Sequence, residues 1–302
     1  MAIRSKDYRT YLDPAIISKL KSLELRVRMV VEGFMVGLHR SPYHGFSVEF
    51  SQHRPYMQGD SLKNIDWKVY GKSEKFYIKQ FEEETNLISH IFIDSSNSMN
   101  YKYLGKLTKL EYAVILAAAL TYIMINQQDS VGLTVFSDKI LSYLPPKSSR
   151  VYLKTLLTAL NGIKATGATN TAASLNAAAE KIRKRGLTII ISDFFDDPDS
   201  IISALRQIYF KKNEVIVFQI LDPVERSFGF EKDAVFVDLE TGEQVTTRPL
   251  HIQRAYQVAM GQFIAKLKNG CSDFGIDYHL IETSQSFDKA LINYFAKRAK
   301  LN

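Results

Sequence analysis

The fold is decided by residues 87–99, which read Leu87-Ile88-Ser89-His90-Ile91-Phe92-Ile93-Asp94-Ser95-Ser96-Asn97-Ser98-Met99. The first part of this stretch is mostly apolar, β-branched or aromatic, which is typical of a strand buried on both faces, as in a parallel sheet. The stretch then changes abruptly to Asp-x-Ser-x-Ser. It therefore predicts a central strand with one carboxylate and two hydroxyls at its carboxyl end, the edge of an open α/β sheet where ligands bind.

Two interpretations of this polar loop remain open from the loop alone. Asp94 or Ser96 could cap the helix that follows, because Asp and Ser side chains accept hydrogen bonds from the first N–H groups of a helix. The oxygen atoms of Asp94, Ser96 and Ser98 would also suit a small divalent cation such as Mg²⁺ or Mn²⁺. Capping accounts for one side chain, whereas a cation site accounts for the whole set.

The composition is that of a soluble globular protein with a substantial core. The chain has 302 residues, of which 46% are hydrophobic and 24% charged. No apolar run approaches the length needed to cross a bilayer, and the basic N-terminus lacks the apolar segment of a signal peptide. A single cysteine, Cys271, excludes an internal disulfide. We therefore expect a cytoplasmic protein without a membrane span.

The net charge of +7 permits contact with nucleic acid, an acidic protein or an anionic membrane. Lys and Arg are scattered among acidic residues, however, and no long basic block is present. Binding to nucleic acid is therefore the less favoured interpretation of the charge.

The region after residue 86 alternates strands with helices and predicts an α/β fold, a doubly wound, mainly parallel sheet flanked by helices. The predicted strands lie at 87–93, 130–136, 187–193, 214–221 and 275–282, with an edge strand at 140–144 stopped by Pro145 and Pro146, and with a hairpin formed by 234–239 and 243–247. The predicted helices lie at 110–124, 148–162, around 175–182, at 198–209, 249–269 and 286–300, the last with Ser286 as N-cap.

The first 86 residues differ in character, so we predict two domains, 1–86 and 87–302. Residues 12–40 have helical spacing of apolar side chains and predict a helix whose end is marked by Gly33, Gly37 and Pro42. Residues 41–86 predict a small β-rich subdomain, with a strand at 44–50.

Two later segments add oxygen ligands to those of the first loop. Thr169 lies in a loop that opens a helix, and Asp193 ends the strand at 187–193. With Asp94, Ser96 and Ser98, this pattern resembles the metal-ion-dependent adhesion site of von Willebrand factor A domains. The resemblance implies that Ser96, Ser98 and Thr169 bind the metal directly. It also implies that Asp94 and Asp193 act mainly through waters, and that one position stays open for a partner's carboxylate.

A second resemblance extends the first towards the N-terminus. The segments Arg54-Pro55-Tyr56-Met57-Gln58-Gly59-Asp60 and Ile65-Asp66-Trp67, followed by the predicted metal loop, are similar to the bacterial family called domain of unknown function 58. Members of that family are often encoded beside MoxR-type AAA-plus ATPases and are thought to act as adaptors in protein remodelling or metal-cofactor insertion. The resemblance thus implies such an ATPase, or its client, as partner. Asp60, Asp66 and Trp67 themselves are more simply explained as structural residues.

The sequence contains few signs of catalysis, and we predict a non-enzymatic interaction module. It has no Gly-x-x-x-x-Gly-Lys-Ser/Thr phosphate loop and no Gly-x-Ser-x-Gly elbow. A metal-dependent phosphohydrolase is the alternative, because Asp94 and Asp193 beside one cation could support attack on a phosphoester. A nucleic-acid-associated A-domain is the second alternative. The six histidines show no metal-ligand spacing, and we expect His90 to be a hydrogen-bonded core residue.

Overall fold

The computed structural model describes residues 12–40, 53–55, 70–71, 76–79, 87–168, 170–230, 234–239 and 242–298. Its strands are β1 (His53–Pro55), β2 (Tyr77–Lys79), β3 (Ile88–Asp94), β4 (Ser130–Phe136), β5 (Ile140–Lys147), β6 (Leu187–Ser192), β7 (Glu214–Leu221), β8 (Ala234–Val237), β9 (Gln244–Thr247) and β10 (Asp277–Glu282). Its α-helices are α1 (Pro14–Ile17), α2 (Leu23–Arg40), α3 (Lys109–Asn126), α4 (Arg150–Asn161), α5 (Thr171–Lys181), α6 (Pro198–Phe210), α7 (Pro223–Ser227), α8 (Pro249–Ser272) and α9 (Asp288–Arg298).

The main sheet has six strands in the order β10–β7–β6–β3–β4–β5. All neighbouring pairs are parallel except β4 and β5, which are antiparallel. The first strand of this sheet in the sequence, β3, lies near its centre. Strands β4 and β5 follow on one side of β3, and β6, β7 and β10 follow on the other side. This winding confirms the predicted doubly wound α/β class.

Strand β3 is buried on both faces, as its continuous apolar sequence predicted. Ile91 and Ile93 point into a core shared with α2, α3, α4 and α9. Phe92 points to the opposite face, into a core shared with α5, α6 and α8. Because successive side chains of a strand point to opposite faces of the sheet, a strand with helices packed on both faces needs an unbroken apolar run.

Helix α3 is the most buried helix of the core that it shares with α2, α4 and α9. By length and composition alone it is apolar enough to cross a membrane, contrary to the expectation that no apolar run approaches that length. In the folded protein, 83% of its 18 residues are buried, so its apolar surface is accounted for by the core.

The N-terminal helices pack on the main sheet's own core. Val30 and Phe34 of α2 belong to the core that surrounds α3, and the Phe34 ring stacks on Phe295 of α9 with centroids 5.4 Å apart. The helix predicted over 12–40 is two helices, and α2 continues through Gly33 and Gly37, which were predicted to mark its end. Burial of the apolar side of α2 outweighs the cost of about 1 kcal/mol that a helical glycine carries.

Most of the predicted β-rich segment at 41–86 lies outside the described residues, including the strand predicted at 44–50 and the side chains of Asp60, Asp66 and Trp67. Its described part contains the antiparallel pair β1–β2. The division into 1–86 and 87–302 stays a prediction.

Three local predictions were wrong. Strand β5 does not stop before Pro145 but continues to Lys147. It is an edge strand, and its register with β4 shifts at the two prolines. The N–H groups that proline lacks are therefore not needed for hydrogen bonds to β4. Ser286 does not cap α9; its hydroxyl donates to the Leu12 carbonyl at 3.2 Å. His90 is buried as expected, but its ring makes no hydrogen bond to any described residue.

We expect Gly186→Ala to destabilise the protein by about 1–3 kcal/mol, the usual cost of forcing an extra carbon into a packed site. A Cβ at Gly186, just before β6, would lie 2.0 Å from the backbone oxygen of Ile88. Gly261 provides the matched control, because it is exposed in the middle of α8 and a Cβ there meets nothing within 4 Å. Gly261→Ala should stabilise the protein by about 0.5–1 kcal/mol.

Urea unfolding of both variants measures these changes in the free energy of unfolding. A Gly186→Ala variant as stable as the wild type would contradict the close contact between the backbones of Gly186 and Ile88 in the structure.

Candidate metal site

The carboxyl ends of β3 and β6 bring the first predicted ligands together. These strands are parallel neighbours, with Ile93 of β3 in register with Ile191 of β6. Asp94 therefore lies beside Ser192, whose hydroxyl donates to Asp94 Oδ2 at 2.6 Å. The other carboxylate oxygen, Oδ1, accepts the backbone N–H of Ser96 at 2.8 Å. Asp94 is thus fixed by its own loop and by the next strand.

The two loop serines form a hydroxyl pair. The Oγ atoms of Ser96 and Ser98 lie 3.0 Å apart, and Ser98 is half-buried while Ser96 is fully buried. A short 3-10 helix begins at Asn97, but the Ser96 side chain makes no capping hydrogen bond to it. Capping therefore does not explain Ser96, and its hydroxyl is directed to Ser98 instead.

The third predicted loop lies against the first. Asn97 donates its backbone N–H to the Gly167 carbonyl at 3.1 Å, and Thr166 donates to the Ser95 carbonyl at 2.7 Å. Gly167 has a φ of +79°, and a Cβ there would lie 3.0 Å from the Ser137 hydroxyl, so glycine suits this close approach. Thr169 itself lies outside the described residues, and its role as a ligand stays a prediction.

Asp193 follows β6 and is bound by a buried lysine. Lys109 Nζ lies 2.7 Å from Asp193 Oδ2 and 2.6 Å from Glu225 Oε1. Lys109 and Asp193 are fully buried, and the ammonium group lies 4.7 Å from the centroid of the Phe195 ring. The second Asp193 oxygen, Oδ1, accepts the backbone N–H of Phe195 at 3.2 Å. Both oxygens of Asp193 are therefore engaged.

The residue after Asp193 adopts an unusual backbone conformation. Phe194 has a φ of +58°, a region that bulky residues rarely adopt. Its side chain is fully buried, and its N–H donates to Ser192 Oγ at 2.9 Å. Glycine adopts this region of φ without steric cost, whereas a residue with a Cβ does not. Here the burial of the ring holds the conformation instead.

Neither Lys109 nor its second partner, Glu225, was predicted as a site residue from the sequence. Lys109 is the first residue of α3, and a charged side chain at the end of a helix usually indicates a solvent-exposed position. In this helix, however, Lys109 is buried together with almost all of the other residues. Glu225 lies in α7, a short helix that was not predicted. The sequence did contain an indication of this helix, because Asp222 and Glu225 have the spacing of a capping box. In the structure they form both hydrogen bonds of that motif.

Asp222 also fixes the loop that leads into α3. Its carboxylate accepts backbone N–H groups from Tyr103, Leu104 and Gly105 at 2.9–3.1 Å. These bonds keep the pKa of Asp222 below its usual value in spite of partial burial. The loop before α3 is therefore tied to α7, and both are tied to Asp193 through Lys109.

The site has an excess of negative charge. Burial, and then the charge of Asp193, raise the pKa of Asp94 to about 7. Burial alone would lower the pKa of Lys109, but the charges of Asp193 and Glu225 outweigh it and raise that pKa. Lys109 therefore stays protonated, and its ammonium pairs with two of the three buried or nearly buried carboxylates, Asp193 and Glu225 but not Asp94. A further cation would relieve the repulsion between Asp94 and Asp193.

The side chains present fit a divalent cation bound mainly through hydroxyls. Across the described parts of the chain, no three His, Cys, Asp or Glu side chains converge as a metal-binding group. The Ser96–Ser98 hydroxyl pair, with Asp94 behind it, supplies oxygen atoms of the kind that Mg²⁺ prefers. Because both oxygens of Asp193 accept other hydrogen bonds, this residue suits a contact through water.

The six-stranded, mainly parallel sheet with helices on both faces defines the protein as a doubly wound α/β domain, a fold that it shares with solved structures. The BatB protein of Bacteroides thetaiotaomicron has a similar structure, with a TM-score of 0.51 and 21% sequence identity, covering 71% of this chain and 99% of that chain. The VWA domain of SpRpn10 aligns with 70% of this chain and 95% of its own, at 15% identity and a TM-score of 0.41.

The family model described as protein of unknown function DUF58 matches residues 52–262, and the chain belongs to this family. Its relatives include the uncharacterized proteins Rv1480 of Mycobacterium tuberculosis and Mb1516 of Mycobacterium bovis. Each is 26% identical over 233 residues, which cover 76% of this chain and 73% of the relative. The match confirms the resemblance seen in the sequence.

We expect Lys109→Met to lower the free energy of unfolding by about 3–5 kcal/mol, because it leaves two carboxylates buried without a counter-charge. Lys266→Met is the matched control, since the Lys266–Asp199 pair has a similar length of 2.6 Å but both side chains are largely exposed. That substitution should cost no more than about 1 kcal/mol. Denaturant unfolding of the two variants compares them directly, and equal losses would contradict the structural role of Lys109.

We also expect the stability of the metal-free protein to depend on Asp94 in a defined pH window. The pKa of Asp94 is raised to about 7 in the folded state, so between about pH 4 and pH 7 the folded protein holds a proton that the unfolded chain has released. The contribution of Asp94 to stability is thus fully present at low pH and is lost as the pH rises towards 7.

Unfolding in EDTA at several pH values, for wild type and Asp94→Asn, tests this expectation. The asparagine keeps an oxygen acceptor for the Ser96 N–H but does not ionise. The stability of the wild type relative to Asp94→Asn should therefore fall as the pH rises from about 5 to about 8. Parallel curves would show that Asp94 does not titrate in this window.

Proposed function

We propose that the protein is a non-enzymatic interaction module whose carboxyl-edge loops bind Mg²⁺ or Mn²⁺ and present it to an acidic side chain of a protein partner. The observation that carries the proposal is the Ser96–Ser98 hydroxyl pair, 3.0 Å apart, directly in front of the buried Asp94. The neighbouring negative charge of Asp193 favours a cation at this point.

The chemistry of the side chains supports recognition of a carboxylate. Neutral hydroxyl ligands leave the charge of a divalent cation largely uncompensated, so an incoming Asp or Glu would gain a strong charge-assisted contact. Asp94 and Asp193 are held by other hydrogen bonds and would orient bound waters. Lys109 neutralises part of the charge of Asp193 and Glu225 and keeps both in position.

The surface beside Ser98 indicates what else the partner presents. A cavity of about 270 Å³ adjoins Ser98 and is lined by Tyr101, Phe195 and Leu239 and by the acidic residues Glu225 and Asp238. Leu239 is 49% exposed, just after β8, on which Val235 and Val237 are also about half exposed. Apolar side chains of the partner would therefore pack on this surface, while its acidic side chain would have to be attracted by the cation itself, against the charges of Glu225 and Asp238.

The partner that the family resemblance implies is a MoxR-type AAA-plus ATPase or its client, and we include it in the proposal. The proposed setting is the cytoplasm, with which the single, buried and unreactive Cys271 is compatible. Burial raises the pKa of the Cys271 thiol to about 12, which keeps it protonated.

Hydrolysis of a phosphoester is less well supported than binding. The oxygens of Asp94 and Asp193 accept hydrogen bonds from Ser96, Ser192, Phe195 and Lys109, and these contacts give both carboxylates a structural role without any catalytic one. Phosphoesterase activity that is abolished by Asp94→Asn would nevertheless favour the hydrolase over the interaction module.

Titration calorimetry with Mg²⁺ and Mn²⁺ tests the metal site. We expect saturable binding by the wild type and at least roughly tenfold weaker binding by Ser96→Ala/Ser98→Ala, because two neutral oxygen ligands are removed. Ser200→Ala/Ser227→Ala is the matched control, since these exposed serines bond only within their own helix ends. Equal affinity of the wild type and Ser96→Ala/Ser98→Ala would overturn the assignment.

A further inference from the structure

A second cavity lies at the opposite, amino edge of the sheet. It has a volume of about 260 Å³ and lies where β3 and β4 begin, with Ile88, His90 and Ser130 in its wall. The wall is completed by Lys181, the last residue of α5, and by Arg183 and Lys184, which lie between α5 and β6 in the sequence. None of these residues belongs to the candidate metal site.

His90 is the most buried residue of this cavity. It is only 4% exposed, and its ring makes no hydrogen bond to the parts of the chain that the structure describes. Thr188, in register with His90 on β6, is also buried, and its hydroxyl has no partner among the described residues. The imidazole of His90 is therefore free to pair with a molecule bound in the cavity.

The cavity is bordered by positive charge and by no acidic residue that the structure describes. Lys181, Arg183 and Lys184 are exposed, and within the described ranges none of them forms an ion pair. Lys181 lies in the last turn of α5, where a cation also favours the helix dipole. Arg183 and Lys184 lie beyond that helix and have no such explanation.

We propose that this cavity binds a small phosphorylated molecule, whose phosphate groups are held by Lys181, Arg183 and Lys184 and whose inner end bonds to His90. Among the described lining residues three are cations and none is acidic, which favours a ligand with more than one negative charge, and a guanidinium matches phosphate oxygens in pairs. The volume admits a small ligand rather than a folded segment.

The state of His90 fits this arrangement. Burial lowers the pKa of His90 to about 4, so the ring is neutral at physiological pH and offers one donor and one acceptor. It therefore contributes hydrogen bonds rather than charge, while the three exposed side chains supply the charge.

The proposed site is separate from the metal site, although both lie on β3. His90 and Asp94 are four residues apart on one strand, which corresponds to roughly 13 Å along its axis. Binding of the phosphorylated ligand is thus testable without any metal, and failure of either proposal leaves the other intact.

The test is calorimetry with pyrophosphate as the probe, on the full chain, in EDTA and at low ionic strength. We expect saturable binding by the wild type and at least tenfold weaker binding by Arg183→Gln/Lys184→Gln. Lys102→Gln/Lys106→Gln is the matched control, because it removes the same charge from two exposed lysines at the other end of the molecule. It should bind as the wild type does. His90→Phe should also bind more weakly, while His90→Gln, which keeps hydrogen-bonding groups, should retain binding.

Several results would overturn the proposal. One is the absence of pyrophosphate binding by the wild type, and another is an equal loss in both double variants, which would indicate a general effect of net charge. A single-stranded oligonucleotide that binds this edge and is not displaced by pyrophosphate would assign the surface to nucleic acid instead. Thermal unfolding of each variant identifies any loss that arises from misfolding.

Discussion

The ammonium group of Lys109 connects segments of the carboxyl edge that are far apart along the chain. It pairs at once with Asp193, at the end of β6, and with Glu225, in α7. Around this pair, Asp222 holds the loop at 103–105 and so fixes the entry to α3. Without the lysine, two carboxylates would be buried close together, which is one of the costliest arrangements in a protein interior. Because the cation is part of the chain, the edge keeps its shape independently of a bound metal.

Much of the fold was predictable because its determinants are local. The continuous apolar run of β3 and the alternation of strands with helices established the doubly wound class, and the Asp-x-Ser-x-Ser loop placed Asp94, Ser96 and Ser98 together. Lys109 was not predictable in the same way, since its partners lie 84 and 116 residues away and no periodic pattern links them. Strand β5 was predicted too short because the tolerance of an edge for proline depends on which strand lies beside it, and that is known only from the sheet order.

The two ends of β3 have opposite chemical character. The carboxyl end brings together Asp94, Asp193 and Glu225 around one internal ammonium, and the amino end is bordered by Lys181, Arg183 and Lys184. The net charge of +7 does not show how charge is distributed between these two ends, and the carboxylate of Asp129 at the amino end is already paired with Arg298. The separation would allow the proposed cation site and the proposed anion site to coexist in one small sheet without competing.

Diffraction from crystals soaked with Mn²⁺, with the anomalous signal of manganese, would test the central claim most directly. We predict one strong peak bonded to the hydroxyl oxygens of Ser96 and Ser98, with Asp193 at the distance of a water-mediated contact and still paired with Lys109. Such a result would show that the internal ammonium and the divalent cation occupy the edge together. A peak at another position, or one at which Asp193 has left Lys109 to bind manganese directly, would contradict the account.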